Sequence, residues 1–381
     1  MTSDLSIFAA RLRDFIELAS REELYLLPAT DPALKSHLDI EFNGMALVLF
    51  ALQFANNAVY RRLCESRGIT PDTVNHWSRI PSASTVAFKE FDVTSIPAAQ
   101  RMSVFHSSGT TENRPSRHWH STESLALYEA SLLPWFERNV MQNVMGQGST
   151  FKAAALTPPR ALAPTSSLVH MFETVRGRLS ESVTDFAFLG TVAPDGSWKL
   201  EVAATLDFLQ LAIEAKQPVL LLGTAFSFVH LMDALAERDL PLALPNGSRV
   251  METGGYKGRS RSMPKSELHG LISNRLGVAA TQIVCEYGMS ELSSQAYDSG
   301  ELRTFRFPPW ARAQVVSVET GAEVCVGETG LLRIFDLANV YSVMAIQTED
   351  LAIRRGDGFE LAGRIESSEP RGCSLMPASS F

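Results

Sequence analysis

The sequence has little cysteine, no long apolar run and no excess of positive charge. Its four cysteines, Cys64, Cys285, Cys325 and Cys373, share no CxxC spacing. That excludes a zinc pattern and a disulfide framework. With no export signal in the charged N-terminus (Asp4, Arg11, Arg13, Asp14), a reducing cytoplasmic compartment is expected. The longest apolar stretch, Met45 to Ala55, is too short to span a bilayer and contains Gln53. It reads as a buried helix, and no membrane partner is expected. The formal net charge of −8 lacks the footprint of a nucleic-acid binder. The basic residues Lys257, Arg259 and Arg261 do gather locally, as a solvated loop or as a contact for a polyanion.

What is present is core-forming material. The chain has 381 residues, 45% of them hydrophobic, enough for a large α/β body with smaller attached pieces. No internal repeat stands out. Apolar residues recur at helical spacing over Ser6–Leu18 and Met45–Arg62, and again over Ser121–Arg138 with a break near Pro134. Residues 1–100 therefore read as a mainly helical N-terminal region. Over 101–305 short apolar runs alternate with helical ones. Pro218–Leu222 reads as a strand turned by Gly223 into a helix from Ala225 to Leu235, and Gln282–Cys285 as a buried strand. That alternation predicts a nucleotide-binding α/β core with a sheet covered on both faces. Residues 306–362 read as a β-rich subdomain: Ala313–Val318, Gly330–Phe335, Ser342–Ile346 and Phe359–Gly363 look like strands, with a hairpin at Gly356-Asp357-Gly358. Residues 363–381 form a short tail carrying Cys373.

Three segments carry chemistry. Ser107-Ser108-Gly109-Thr110-Thr111 offers hydroxyls and backbone N–H groups that can surround phosphate oxygens, and Gly109 permits close approach. It is not a Walker A loop, since no Gly-Lys-Ser/Thr follows. Glu286-Tyr287-Gly288-Met289-Ser290-Glu291 follows a predicted strand, where ligands collect in α/β sheets. Its tyrosine can stack on a base and a glutamate can hold magnesium. Gln347-Thr348-Glu349-Asp350-Leu351, followed by Gly363-Arg364-Ile365-Glu366, offers an aspartate at a strand end that can accept from both ribose hydroxyls. His118 and His120 are read as pointing apart, a poor metal pair, with structural roles or with one of them meeting the substrate. Cys285 reads as core, and Cys64 and Cys325 likewise as structural. Cys373 follows Arg371, which can lower its thiol pKa, and Gly372, which lets it swing.

The order of SSGTT, EYGMSE, TEDLA, GRIE and RGCSL resembles the adenylate-forming superfamily of acyl and aryl acid ligases. Within it the likeness is to the LuxE-type acyl-protein synthetases, which supply fatty acyl groups to a fatty-acid reductase complex. It rests also on FANNAVYRRLCESRG (54–68), IPSASTVAFKEFDVTSIP (80–97) and ETGGYKGRSR (252–261), and runs from about residue 40 onward. The resemblance implies the large N-terminal domain of that superfamily, with a helical N-terminal part, a small β-rich subdomain and no full C-terminal domain with its catalytic lysine. It implies ATP and Mg2+ as cofactors. Ser107, Ser108, Gly109, Thr110 and Thr111 would embrace the phosphates. Gly254, Gly255 and Tyr256 would line the adenine pocket and Tyr287 would stack on adenine. Ser290 would stand near the α-phosphate, Glu291 would bind magnesium, Asp350 would hold the ribose, and Arg364 would contact ribose or phosphate. Cys373 would carry the acyl group to a partner, an acyl reductase or a carrier protein.

The chain departs from the pattern in four places. Glu112 stands where a glycine follows SGTT, the lysine just beyond is absent, Glu349 replaces the glycine of TGD, and Glu366 replaces the hinge aspartate. The reading is ATP-dependent activation of a carboxylic acid, fatty by resemblance, then transfer to a thiol. Two alternatives stay open: transfer to coenzyme A or a carrier-protein thiol, and a non-catalytic scaffold with a degenerate adenylate fold. Phe226, Phe228 and His230 are candidates for the acyl pocket, and core packing explains them equally well.

Overall fold

The computed structural model describes residues 3–21, 32–107, 114–141, 150–254, 263–298 and 304–365. Ser108 to Thr111, Glu112, Gly255, Tyr256, the 257–261 basic cluster, Glu366 and Cys373 lie outside the described residues.

Helices α1 (Asp4–Ala19), α2 (Pro32–Asn56), α3 (Ala58–Ser66) and the short α4 (Ala87–Glu90) open the described chain. α5 (Thr122–Val140), α6 (Ser167–Arg178), α7 (Val202–Glu214), α8 (Ala225–Glu237) and α9 (Lys265–Leu276) follow. The predicted helix 45–62 is two helices, because Asn57 turns the chain. Its side chain accepts from Tyr60 N at 3.1 Å, capping α3, and its amide reaches Ser342 O at 3.3 Å. Met45–Ala55 is the tail of a longer helix. Ser36–Asn56 is, by length and composition, long and apolar enough to cross a membrane. Here Phe42, Met45, Ala46, Leu49, Phe50 and Gln53 form a buried stripe at helical spacing. Pro134 does not break α5. The face made by Leu127, Tyr128, Leu132, Phe136 and Val140 stays buried through it, which outweighs the loss of one N–H donor.

The strands are β1 (Ala83–Ser84), β2 (Ser103–His106), β3 (Arg117–His120), β4 (Phe151–Ala155), β5 (Val183–Phe188), β6 (Gly190–Val192) and β7 (Trp198–Leu200). Then come β8 (Val219–Thr224), β9 (Arg249–Thr253), β10 (Ile283–Tyr287) and β11 (Ala296–Tyr297). β12 (Ala311–Val316), β13 (Thr329–Asp336), β14 (Ala345–Arg355) and β15 (Gly358–Arg364) complete the set. Six strands form one sheet in the order β11-β10-β9-β8-β4-β5, parallel except for β11. α7, α8 and α9 pack on one face and α5 and α6 on the other. Gly223 lies inside β8 rather than turning the chain. A Cβ there would meet Leu156 Cβ at 3.0 Å, so the glycine admits the neighbouring strand end.

The second sheet runs β1-β14-β13-β12, with β15 on β14. The third predicted strand is longer than the pattern at 342–346 suggested. β14 continues through Thr348-Glu349-Asp350 to Arg355, and the hairpin turns at Gly356, φ +62°, and Asp357. α1, α2 and α3 share one hydrophobic core with this sheet, including Phe50, Tyr60, Trp310, Ile334 and Phe335.

A buried polar knot joins the two sheets. The carboxylate of Asp336, at the end of β13, accepts from Ser293 N at 2.9 Å, Ser294 N at 2.8 Å, Ser294 Oγ at 2.7 Å and Ala338 N at 3.0 Å. Asn339 Nδ2 donates to Glu291 O at 2.8 Å, and Ser293 Oγ donates to Asn339 Oδ1 at 2.7 Å. Gln53 Nε2 donates to Asn339 O at 2.8 Å and Gln53 Oε1 accepts from Met344 N at 3.1 Å. Trp310 Nε1 donates to Ser131 Oγ at 2.7 Å, and that oxygen lies 2.9 Å from Ser294 Oγ. Asp336→Ala strands these donors in a dry interior and should cost about 3–5 kcal/mol. The check is a denaturant titration, in which the midpoint falls and m stays unchanged.

Candidate active site

Three segments far apart in sequence meet beyond the carboxyl ends of β9 and β10. The first is the β2–β3 hairpin. Its register pairs His106 with Arg117, so Ser107 and Ser116 flank the serine-rich turn. Ser116 N donates to Ser107 Oγ at 3.1 Å. The hairpin's outer side is fixed by Asp92, which takes Arg101 at 2.7 Å, Trp119 Nε1 at 3.0 Å and Arg117 at 3.2 Å.

The second segment is the end of β10 and the following loop. Gly288 is there because of Glu286. A Cβ on residue 288 would lie 2.2 Å from Glu286 Oε1, so the carboxyl passes directly under the loop. Ser290 Oγ lies 3.3 Å from Ser116 Oγ and donates to Glu291 Oε2 at 3.1 Å. His118 Nδ1 bonds Ser290 O at 2.9 Å. A carbonyl only accepts, so Nδ1 carries the proton. Burial pushes His118 down to about 4, despite that bond, which keeps the ring neutral.

The third segment is the β14–β15 hairpin. Asp350 is not at a strand end but within β14, opposite Arg364 on β15, beside a register shift at Leu351/Ala352. Tyr287 OH donates to Asp350 Oδ2 at 2.8 Å, and Arg364 Nε lies 3.2 Å from Oδ1. The Tyr287 ring stands edge-on to Phe305, Phe307 and Phe359, with centroids 6.1, 6.4 and 5.4 Å away. Burial and the Asp350 carboxylate raise the Tyr287 hydroxyl well above its ordinary value, so it stays a donor. Gly254 ends β9 at φ +74°, beside Thr253, whose hydroxyl donates to Glu286.

Among the described candidates, Ser107, Tyr287, Ser290, Glu291, Asp350 and Arg364 are thus linked around one region, with Gly254 at its margin. Glu291, 4% exposed, brings a carboxylate beside a serine hydroxyl, an all-oxygen donor pair that suits a hard cation. Among the described residues no group of three or more His, Cys, Asp or Glu could hold a metal ion. Phe228 belongs to the core beneath the sheet, Phe226 packs on His230 at 4.3 Å, and His230 is exposed. Cys64 and Cys285 are buried, whereas Cys325 is exposed at a turn. His118 and His120 do not point apart. Residues i and i+2 of a strand share a face, and their rings lie 4.3 Å apart. Ser116, His118 and Glu286 were not singled out as site residues. The alternation in Arg117-His118-Trp119-His120 is the signal that places both histidines inward.

Glu286 carries a testable electrostatic cost. Burial raises its carboxyl to about 7, against the Thr253 hydroxyl, and Glu252 raises it further. An unfolded glutamate titrates near about 4.3, so between there and about 7 only the native state holds the proton. Stability should therefore fall as pH rises through that window, by up to about 1.4 kcal/mol per pH unit. Glu286→Gln removes the proton uptake. Its stability relative to the parent should rise between pH 5 and pH 8 in paired thermal melts, and a pH-independent difference would contradict the assignment.

No family model matches the chain. The long-chain-fatty-acid–luciferin-component ligase of Vibrio harveyi is 23% identical over 348 residues, 87% of this chain and 86% of that protein. The ligase of the same name from Aliivibrio fischeri is 23% identical over 191 residues, 47% of this chain, and the match spans 50% of that relative. Among solved structures, 2-hydroxyisobutyryl-CoA ligase in complex with 2-HIB-AMP and CoA in the thioesterification state matches with a TM-score of 0.62 at 16% identity. That match covers 90% of this chain and 70% of the ligase. Identity at that level speaks for the fold alone. The chain has the mixed α/β fold of the adenylate-forming ligases, and its sequence resembles the LuxE-type ligases, as the motifs implied.

Proposed function

We propose that the chain is an AMP-forming acid–thiol ligase, which activates a carboxylic acid with ATP and passes the acyl group to a thiol. The observation that carries this reading is the set of contacts that joins Ser107, Ser290 and Glu291 on one side and Tyr287, Asp350 and Arg364 on the other, both at the end of β10. The sequence likeness to ligases named for long-chain fatty acids supports a fatty acid as the substrate class.

In the first half-reaction an oxygen of the substrate carboxylate attacks the α-phosphorus, and the bond to the pyrophosphate oxygen breaks. Ser107 to Thr111 would surround the departing phosphates with hydroxyls and N–H groups, and Ser290 would hold the α-phosphate. Arg364 would neutralise charge, and Gly254 to Tyr256 and Tyr287 would border the base. Most of the catalysis is positioning and electrostatics. A magnesium ion would be held by Glu291 together with the phosphates and would supply charge neutralisation on the leaving pyrophosphate. Asp350 would accept from the ribose hydroxyls. Its two oxygens are bonded to Tyr287 and Arg364 in the free protein, so nucleotide binding exchanges internal partners for ribose.

In the second half-reaction the thiolate of Cys373 attacks the acyl carbon, the bond to the AMP oxygen breaks, and a thioester forms. The acyl group then moves to the thiol of a partner, a reductase or a carrier protein.

Two measurements test this. Asp350→Ala should raise KM for ATP by about 10- to 100-fold in acid-dependent pyrophosphate exchange, the worth of charged hydrogen bonds to ribose. Cys373→Ala should keep the exchange and lose a hydroxylamine-labile acyl adduct seen by mass spectrometry in the parent. Adduct-free turnover to coenzyme A by that variant would reassign the acceptor. ATP binding without acid-dependent pyrophosphate release would refute the enzyme altogether.

A further inference from the structure

On the α5 side of the six-stranded sheet, the strand ends turn from apolar to polar. Met251 and Val284 pack in the core there, and two residues on the same face continues with Thr253 and Glu286. Register pairs Glu286 with Tyr297 across β10 and β11, which puts Tyr297 on that face as well. Tyr128 of α5 closes over them. Its hydroxyl accepts from Gln295 Nε2 at 3.4 Å and donates to Ser167 O at 3.4 Å. The Tyr128 ring lies 6.2 Å from His120 and 5.5 Å from His170. Thr253, Glu286, Tyr297, Gln295, Tyr128 and His120 thus make one continuous polar layer, all buried. It ends on His118, the residue that holds Ser290.

Two atoms in this layer have no hydrogen-bond partner among the described residues: Nε2 of His120 and the hydroxyl of Tyr297. Both residues are 1% exposed. Buried polar atoms are almost always bonded, so two beside one tyrosine point to a ligand. The character of each follows from its neighbours. Ser124 Oγ donates its one proton to Ser121 O at 3.1 Å, so across the 3.2 Å contact it accepts from His120 Nδ1. Burial and the imidazoles of His118 and His170 hold His120 neutral. Its Nε2 is therefore a free acceptor. The Tyr297 hydroxyl is a donor with lone pairs to spare.

We propose that this layer receives the part of the acid next to its carboxylate, and that this part carries a hydroxyl rather than being a plain alkyl chain. The proposal rests on the adenylation reading above and departs from the substrate in the relatives' name. The layer lies directly behind the 288–291 loop, where the carboxylate would react. A substrate hydroxyl donates to an acceptor such as His120 Nε2 and accepts from a donor such as Tyr297. A methylene chain in the same place leaves both atoms dry and unpaired. Sites built to bond a substrate hydroxyl reject the analogue lacking it far more strongly than an apolar pocket rejects one methylene.

The test uses two matched pairs, 3-hydroxybutyrate with butyrate and 3-hydroxyoctanoate with octanoate. Binding is read by calorimetry and turnover by pyrophosphate release, for the parent chain and Tyr297→Phe. The variant loses one oxygen and keeps its ring against Phe136. The parent should favour the hydroxylated member on the order of 100-fold in both readouts. Tyr297→Phe should lose most of that preference, with KM for ATP unchanged. If that variant does not fold, His120→Gln gives the same reading. Equal or better use of the alkyl acids, no binding of any of the four, or a preference untouched by the variants would overturn the proposal. Selective binding without pyrophosphate release would uphold the layer and sink the adenylation reading. Release that is indifferent to the hydroxyl would do the reverse.

Discussion

The structure depends on the Asp336 carboxylate and the polar side chains gathered around it. A fully buried acid is costly in isolation, and burial does raise its pKa. Hydrogen bonds from Ser293, Ser294 and Ala338 pull the other way. The result is a fixed point where β13, the loop after β10, α2 and α5 meet. Gln53, Asn339, Ser131 and Trp310 extend it, so the loop after β10, the central of the three segments at the proposed nucleotide region, is tied directly to the knot.

That tie explains how an irregular loop can present chemistry. Residues 288–295 lack a ladder of their own, and loops without one are mobile unless side chains hold them. Here Asn339 holds Glu291 O from one side, and His118 and Ser116 hold Ser290 from the other. The serine hydroxyl and the glutamate are therefore aimed before any ligand arrives, which is what positional catalysis requires.

Legibility in the sequence followed contiguity. The serine-rich turn and the tyrosine–glutamate stretch are short runs with unusual composition, and the placement of the second at a strand end was readable. Strands β8 and β10 and the turn at 356–357 were readable for the same reason. Asp350 was recognised but misplaced, because Thr348-Glu349-Asp350 interrupts the apolar pattern, and the strand continues there across a register shift against β13 that no local pattern announces. Pro134 misled because local propensity cannot weigh the buried face of α5. Gln53, Asp336 and Asn339 carry no local signal at all. Each is a single polar residue whose meaning lies in distant partners, 286 positions away for Gln53 and 42 or more for Asp336 at the loop after β10. The Glu286–Gly288 pair was visible only as letters, since nothing in the spacing says that one side chain passes beneath the other.

The sharing of one core between α1, α2, α3 and the strands after residue 311 bears on how the chain matures during synthesis. The six-stranded sheet is made from residues 151–297 and can close as a unit, since domains fold in order as they emerge. The apolar stripe of α2 cannot, because Gln53 finds its partners 286 residues later. For most of translation that stripe is made and uncovered. A nascent chain of this design spends its time on the ribosome with its stickiest helix waiting for the last strands, a standing invitation to chaperone capture.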